Sequence, residues 1–137
     1  MRETTNRCVR TAQCSCGQLQ LSTHGEPVRV SICHCLACQH RTGSIYGVQA
    51  RFATDDVHIS GQFRVYQRQA ESGNTIRFRF CATCGSTLTI VIDIDPALTG
   101  IPVGAFADPQ FPAPKISVYE CSAHRWFEPP ADAERWD

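Results

Sequence analysis

The chain has 137 residues, with 13 Lys+Arg balanced by 13 Asp+Glu, and nine cysteines. That length fits one domain, residues 1–137, able to bury most of a core of its own. Balanced charge without a basic run argues against nucleic acid, and no apolar stretch reaches the length of a membrane span.

Residues 1–7 read as a frayed, polar terminus without the apolar run of a signal peptide, so the expected core spans about residues 8–127 and the expected location is the reducing cytoplasm. From Cys8 onward the text is β-like. Gln18 to Thr23 alternates polar and apolar, as a half-buried strand does. Val28 to Ile32 alternates again and feeds into Cys33-His34-Cys35-Leu36-Ala37-Cys38. Leu36 to Gly43 has no strand pattern and reads as a short helical turn ended by Gly43. Tyr46 to Phe52 resumes as a strand, and Thr54-Asp55-Asp56 is turn chemistry. Short strands follow at Val57–Ile59 and Phe63–Tyr66, on either side of Gly61.

Ser72-Gly73-Asn74 is a hairpin-turn signal. The next strand puts Ile76, Phe78 and Phe80 on one face and Arg77 and Arg79 on the other. Thr87 to Ile92 is rich in β-branched residues and reads as a buried strand. Ile101 to Phe106 reads as another strand, and Lys115 to Glu120 as the last. The tail from Glu128 to Asp137 is expected on the surface or mobile. Many short strands separated by turn signals predict a mainly β fold with little helix.

Seven of the cysteines fall in three clusters: Cys14-x-Cys16, Cys33-x-Cys35-x-x-Cys38 and Cys81-x-x-Cys84. A disulfide framework suits them poorly, given the odd total and two C-x-C pairs. The outer clusters, each followed by glycine, resemble the halves of a zinc ribbon and together supply the four thiolates of a closed structural zinc site. The middle cluster then has three thiolates. Three protein ligands with one open position is the coordination of catalytic zinc. His40, two residues past Cys38, is able to close that position and make the site structural; His34 points away if its stretch is extended. Cys8 and Cys121 lack partner spacing and read as small buried hydrophobes.

The ordered motifs Cys14-Ser15-Cys16-Gly17, Cys33-His34-Cys35-Leu36-Ala37-Cys38, Phe80-Cys81-Ala82-Thr83-Cys84-Gly85 and Gly104-Ala105-Phe106-Ala107-Asp108-Pro109, with His124-Arg125-Trp126, resemble one family across residues 12–127. It is the glutathione-dependent formaldehyde-activating enzyme family, also called the centromere-protein-V family, with an Mss4-like fold. The resemblance implies stacked small antiparallel sheets stapled by zinc, a structural zinc on Cys14, Cys16, Cys81 and Cys84, and a second zinc on Cys33, Cys35 and Cys38. It further implies a carbon–sulfur lyase joining glutathione, as co-substrate, to a small aldehyde to give S-hydroxymethylglutathione. Where the family often carries a histidine before isoleucine, this chain has Lys115.

Glutathione bears two carboxylates, so Arg41, Arg77, Arg79 and Lys115 are the candidate cationic contacts. The alternative reading is a non-catalytic, zinc-stapled binding module on the same fold. Chromatin binding, by analogy with the centromere relative, lacks the basic extensions it would need.

Overall fold

The computed structural model describes residues 8–137; the terminus expected over residues 1–7 lies outside them. The chain is mainly β, with two sheets enclosing one core. The smaller sheet contains β1 (Val9–Gln13), β2 (Gln20–His24) and β5 (Val57–Ser60), in the order β1-β2-β5 and antiparallel throughout.

The larger sheet is built from β3 (Arg29–Cys33), β4 (Gly47–Ala53), β6 (Phe63–Gln69), β7 (Thr75–Cys81), β8 (Thr87–Ile92), β9 (Leu98–Pro102), β10 (Ile116–Val118) and β11 (Glu134–Arg135). Its order is β11-β10-β3-β4-β9-β8-β7-β6. Pairing in it is antiparallel except at one edge, where β10 runs parallel to both β3 and β11. A seven-residue helix, α1 (Leu36–Thr42), follows β3 where a helical turn was expected. Gly43 ends it in the left-handed conformation, with φ 73°.

Strand alternation gives the large sheet two different faces. Val30, Ala50, Phe52, Leu88 and Ile101 turn toward the small sheet and pack with Ala12, Leu19 and Leu21. Ser31, Cys33, Gln49, Ile76, Phe78, Ile90 and Ile92 turn the other way and floor an open cavity. The period of two that buries one set therefore presents the other set to a ligand.

Three segments depart from expectation. The strand expected over Ile101–Phe106 stops at Pro102, and Val103–Phe106 is a 3₁₀ turn. That turn seats Phe106 against Phe52, with ring centroids 6.0 Å apart. The strand expected to reach Glu120 stops at Val118, because Tyr119 takes a left-handed backbone conformation at φ 56° before a 3₁₀ turn, Glu120–Ser122. The tail lies on the surface, one of the two alternatives expected, but as a paired strand that was not foreseen: β11 pairs with β10, and Trp136 N–H donates to the Ser117 carbonyl at 2.8 Å.

Gly61 separates β5 from β6 with φ 117°, and a Cβ there would collide with the carbonyl of Gln18. Both steric objections forbid a side chain. Gly61→Ala is expected to lower stability by at least about 2 kcal/mol, read as a shifted denaturant midpoint at unchanged m-value.

Candidate metal centres

The first group joins Cys14 and Cys16, on the turn between β1 and β2, to Cys81 at the end of β7 and Cys84 just beyond it. All four sulfurs lie within 4.8 Å of one another. Cys16 Sγ is 3.6 Å from Cys14 Sγ and 3.7 Å from Cys81 Sγ. A tetrahedron of sulfurs about 2.3 Å from a zinc ion has edges of about 3.8 Å, so the donor set fits that ion in both chemistry and size.

Turn N–H groups aim at these sulfurs. Leu19 N–H donates to Cys14 Sγ at 3.3 Å, and the N–H groups of Thr83 and Cys84 donate to Cys81 Sγ at 3.3 and 3.4 Å. Burial pushes the Cys81 thiol up, but those bonds and one from the Gln18 carboxamide outweigh it and bring the group to about 7. Bonds from the Ser86 hydroxyl and N–H bring Cys84 to about 5. Gln18 donates to Cys81 Sγ at 2.9 Å and to the Gln62 carbonyl at 2.6 Å, and it accepts from Gln62 N–H at 2.9 Å. Its role was missed in the sequence, where it reads only as the polar start of an alternating strand.

The second group is Cys33, Cys35 and Cys38, whose sulfurs also lie within 4.8 Å of one another. Cys33 closes β3, Cys35 is the N-cap of α1, and Cys38 sits in its first turn, so the strand-to-helix corner itself sets the spacing. Cys35 Sγ accepts from Cys38 N–H at 3.3 Å. Bonds from the Cys33 and Cys38 thiols, with that N–H, hold Cys35 at about 2, well below an ordinary thiol, while Cys33 is pushed far up. The three thiols thus share protons among themselves. Binding a soft divalent cation would displace those protons.

Among the described residues no fourth side chain joins this group. His40 is exposed on α1, outside it. His34 is fully buried and faces away from it, with Nε2 2.9 Å from Ser117 Oγ. Ser117 Oγ donates onward to Glu120 Oε2 at 2.6 Å, and Arg135 binds Glu120 Oε1 at 2.9 Å. Burial pulls the His34 pKa down. Ser117 gives its one proton to Glu120, so His34 Nε2 is the donor to Ser117 Oγ, and its Nδ1 is left without a partner.

The trio opens on a cavity of about 650 Å³. None of the four cations singled out in the sequence lines it. Arg77 lies on the opposite face of β7 and binds Asp93 at 2.9 Å. Arg79 lies over the Phe63 ring at 5.1 Å, Arg41 lies over the Phe78 ring at 5.7 Å, and Lys115 binds Asp132 at 2.6 Å. Among the described residues the cations that do line the cavity are Arg29, Arg51 and Arg68, beside a single carboxylate, Glu71. Arg29 was legible, since it alternates in step with Ser31 and Cys33. Arg51 does so with Gln49. Tyr119 also lines the cavity, and burial together with the three cysteines raises its pKa, so the phenol keeps its proton. Cys121 lines it too; contrary to expectation, both it and Cys8 are exposed. Arg77→Ala is expected to leave the KM of any cavity-bound substrate unchanged, measured by steady-state kinetics.

The sequence profile of the glutathione-dependent formaldehyde-activating enzyme family matches residues 9–122. The chain belongs to this family. Its match runs from the start of β1 to the turn after Tyr119, and so takes in both cysteine groups. No curated protein matches the chain. Among solved structures, the crystal structure of a Rhodobacter sphaeroides protein is similar, with a TM-score of 0.56 over 93% of this chain and 99% of that one. At 17% identity, that likeness speaks for the fold alone. Among the described residues no helix is long and apolar enough to cross a membrane.

Proposed function

We propose that this chain is a zinc-dependent carbon–sulfur lyase that joins a small thiol to a small aldehyde, or parts their adduct. Membership of the formaldehyde-activating family supports glutathione and formaldehyde as the pair to try first. The observation that carries the reading is a three-sulfur group with no fourth donor among the described residues, facing a cavity of about 650 Å³. Cys14, Cys16, Cys81 and Cys84 would hold a structural zinc, and Cys33, Cys35 and Cys38 a second one in a reducing cytoplasm.

Cys33, Cys35 and Cys38 would hold the zinc ion, which when bound would lower the pKa of an incoming thiol and so supply a thiolate near neutrality. The substrate sulfur then forms a bond to the aldehyde carbon, and the carbonyl π pair moves to oxygen. That oxygen takes a proton, giving an S-hydroxyalkyl thioether. Tyr119, protonated and facing the cavity, is placed to donate a hydrogen bond to it. Cys38 and Gln49 floor the cavity, and the apolar Ile90, Ile92 and Phe78 beside them limit water.

The test measures S-hydroxymethylglutathione formation from glutathione and formaldehyde by protein carrying two zinc ions per chain. A rate above the uncatalysed one supports the reading, and an equal rate rejects it for this pair. Closure of the second group by His40 would have favoured the binding-module alternative, and His40 is exposed outside that group.

A further inference from the structure

Among the described residues Arg51 makes no ion pair, although Asp95 and the Cys33 and Cys38 thiols act on it favourably. Its Nε is buried and has no hydrogen-bond partner. Its Nη2 reaches only the Gln49 carboxamide oxygen, at a long 3.5 Å. Among the described residues no carboxylate lies within ion-pair distance of Arg51, Arg29 or Arg68. Arg29 stands directly opposite Arg51 across the β3–β4 pair, so two like charges face each other where neutral residues would be the less costly choice. Burial, and after it the Arg29 charge, pull the Arg51 pKa down and outweigh the opposing pull of Cys33, Asp95 and Cys38.

The surroundings are shaped for a ligand on this guanidinium. On the neighbouring strand Gly100 makes the space that the Gln49 and Arg51 side chains occupy: a Cβ there would stand 3.3 Å from Gln49 Oε1 and 3.5 Å from Arg51 Nη1. Gln49 spans the two parts of the site, with Nε2 4.0 Å from Cys38 Sγ and Oε1 against Arg51. One carboxamide therefore separates the sulfur trio from the unpaired cation, and both face the same cavity. A ligand bound through sulfur at the trio would bring a carboxylate a few bonds away to Arg51.

We infer that the cavity selects thiols carrying a carboxylate, and that Arg51, assisted by Arg29, anchors that carboxylate and sets the specificity. The inference rests on the reading that the trio holds zinc with an open position. A guanidinium meets a carboxylate through two parallel N–H···O bonds, which makes it a discriminating anchor. Losing a buried, charge-assisted hydrogen bond is expected to weaken binding by about tenfold or more.

The experiment is calorimetric titration of the zinc-loaded protein with 3-mercaptopropionate and with its neutral amide, 3-mercaptopropionamide, which carry the same thiol. The native chain is expected to bind the acid at least about tenfold more tightly. In Arg51→Gln that preference should fall to near unity, with affinity for the amide unchanged; Arg51→Lys should restore part of it. Equal binding of acid and amide by the native chain overturns the inference while leaving the open zinc intact. An Arg51→Gln protein that keeps the preference also overturns it. Lower zinc content in that variant, with the preference retained, would mean that Arg51 serves only to offset cysteine charge. If neither thiol binds, the open-position reading fails, and the inference fails with it. Should Arg51→Gln not fold, the acid-to-amide ratio of the native chain still decides.

Discussion

Cys16→Ser is expected to leave the chain without a stable fold at room temperature. The side chain is exposed, so little packing is lost with it. What is lost is one of four sulfurs tying the β1–β2 turn to the end of β7, a link spanning 65 residues between Cys16 and Cys81. Structural zinc contributes on the order of 10–16 kcal/mol in small domains, whereas whole domains are stable by about 5–15 kcal/mol. Removing the link therefore removes an amount comparable to the total. Circular dichroism of Cys16→Ser should show no cooperative thermal transition, and a strong chelator should do the same to the native chain. Cys8→Ser, exposed and outside both groups, is the control and should melt like the native chain. A Cys16→Ser protein with native melting and zinc content would show that the group is not structural.

Cys38→Ser is expected to separate chemistry from folding. Cys38 is 6% exposed, but serine is close to it in size, and the helix that carries it keeps its Cys35 cap and Gly43 stop. Zinc should drop from about two ions per chain to about one. Adduct formation should fall by at least about a thousandfold, because activation of the thiol, worth several kcal/mol, depends on that site. The thermal transition should persist. If Cys38→Ser also unfolds the chain, the middle group is structural and the proposed activity loses its site.

Much of this arrangement could be read from residue order. Three cysteine clusters, two of them followed by glycine, pointed to the two groups that could hold a metal ion. Period-two patterning in Val28–Ile32 and Tyr46–Phe52 located strands whose inward face is the core. The same patterning held the cavity floor, because Arg29, Ser31 and Cys33 share a face. That face was passed over because it ends at an edge with no apolar signal of its own.

Arg77 and Arg79 drew attention as clustered charge on a regular strand, but a strand face says nothing about which side bears the cavity. Only pairing across β4, β9 and β8 decides that. Tyr119 and the tail strand were illegible for a different reason. A left-handed tyrosine and a two-residue parallel strand carry no local propensity signal. Both exist because distant segments hold them: β3 pairs with β10, and the Glu120 carboxylate engages Arg135.

That last contact bears on the order in which the protein can become functional during synthesis. Cys33, Cys35 and Cys38 leave the ribosome about a hundred residues before Arg135. Yet the histidine between the first two of them is held by Ser117, and Ser117 by a glutamate that Arg135 secures. Cys14 and Cys16 likewise wait for Cys81 and Cys84. The four-sulfur group therefore assembles only after Cys84 has been made, and the buried support behind the three-sulfur corner only after Arg135. A product stalled before Cys81 would expose Cys14 and Cys16 without the two sulfurs that complete their group.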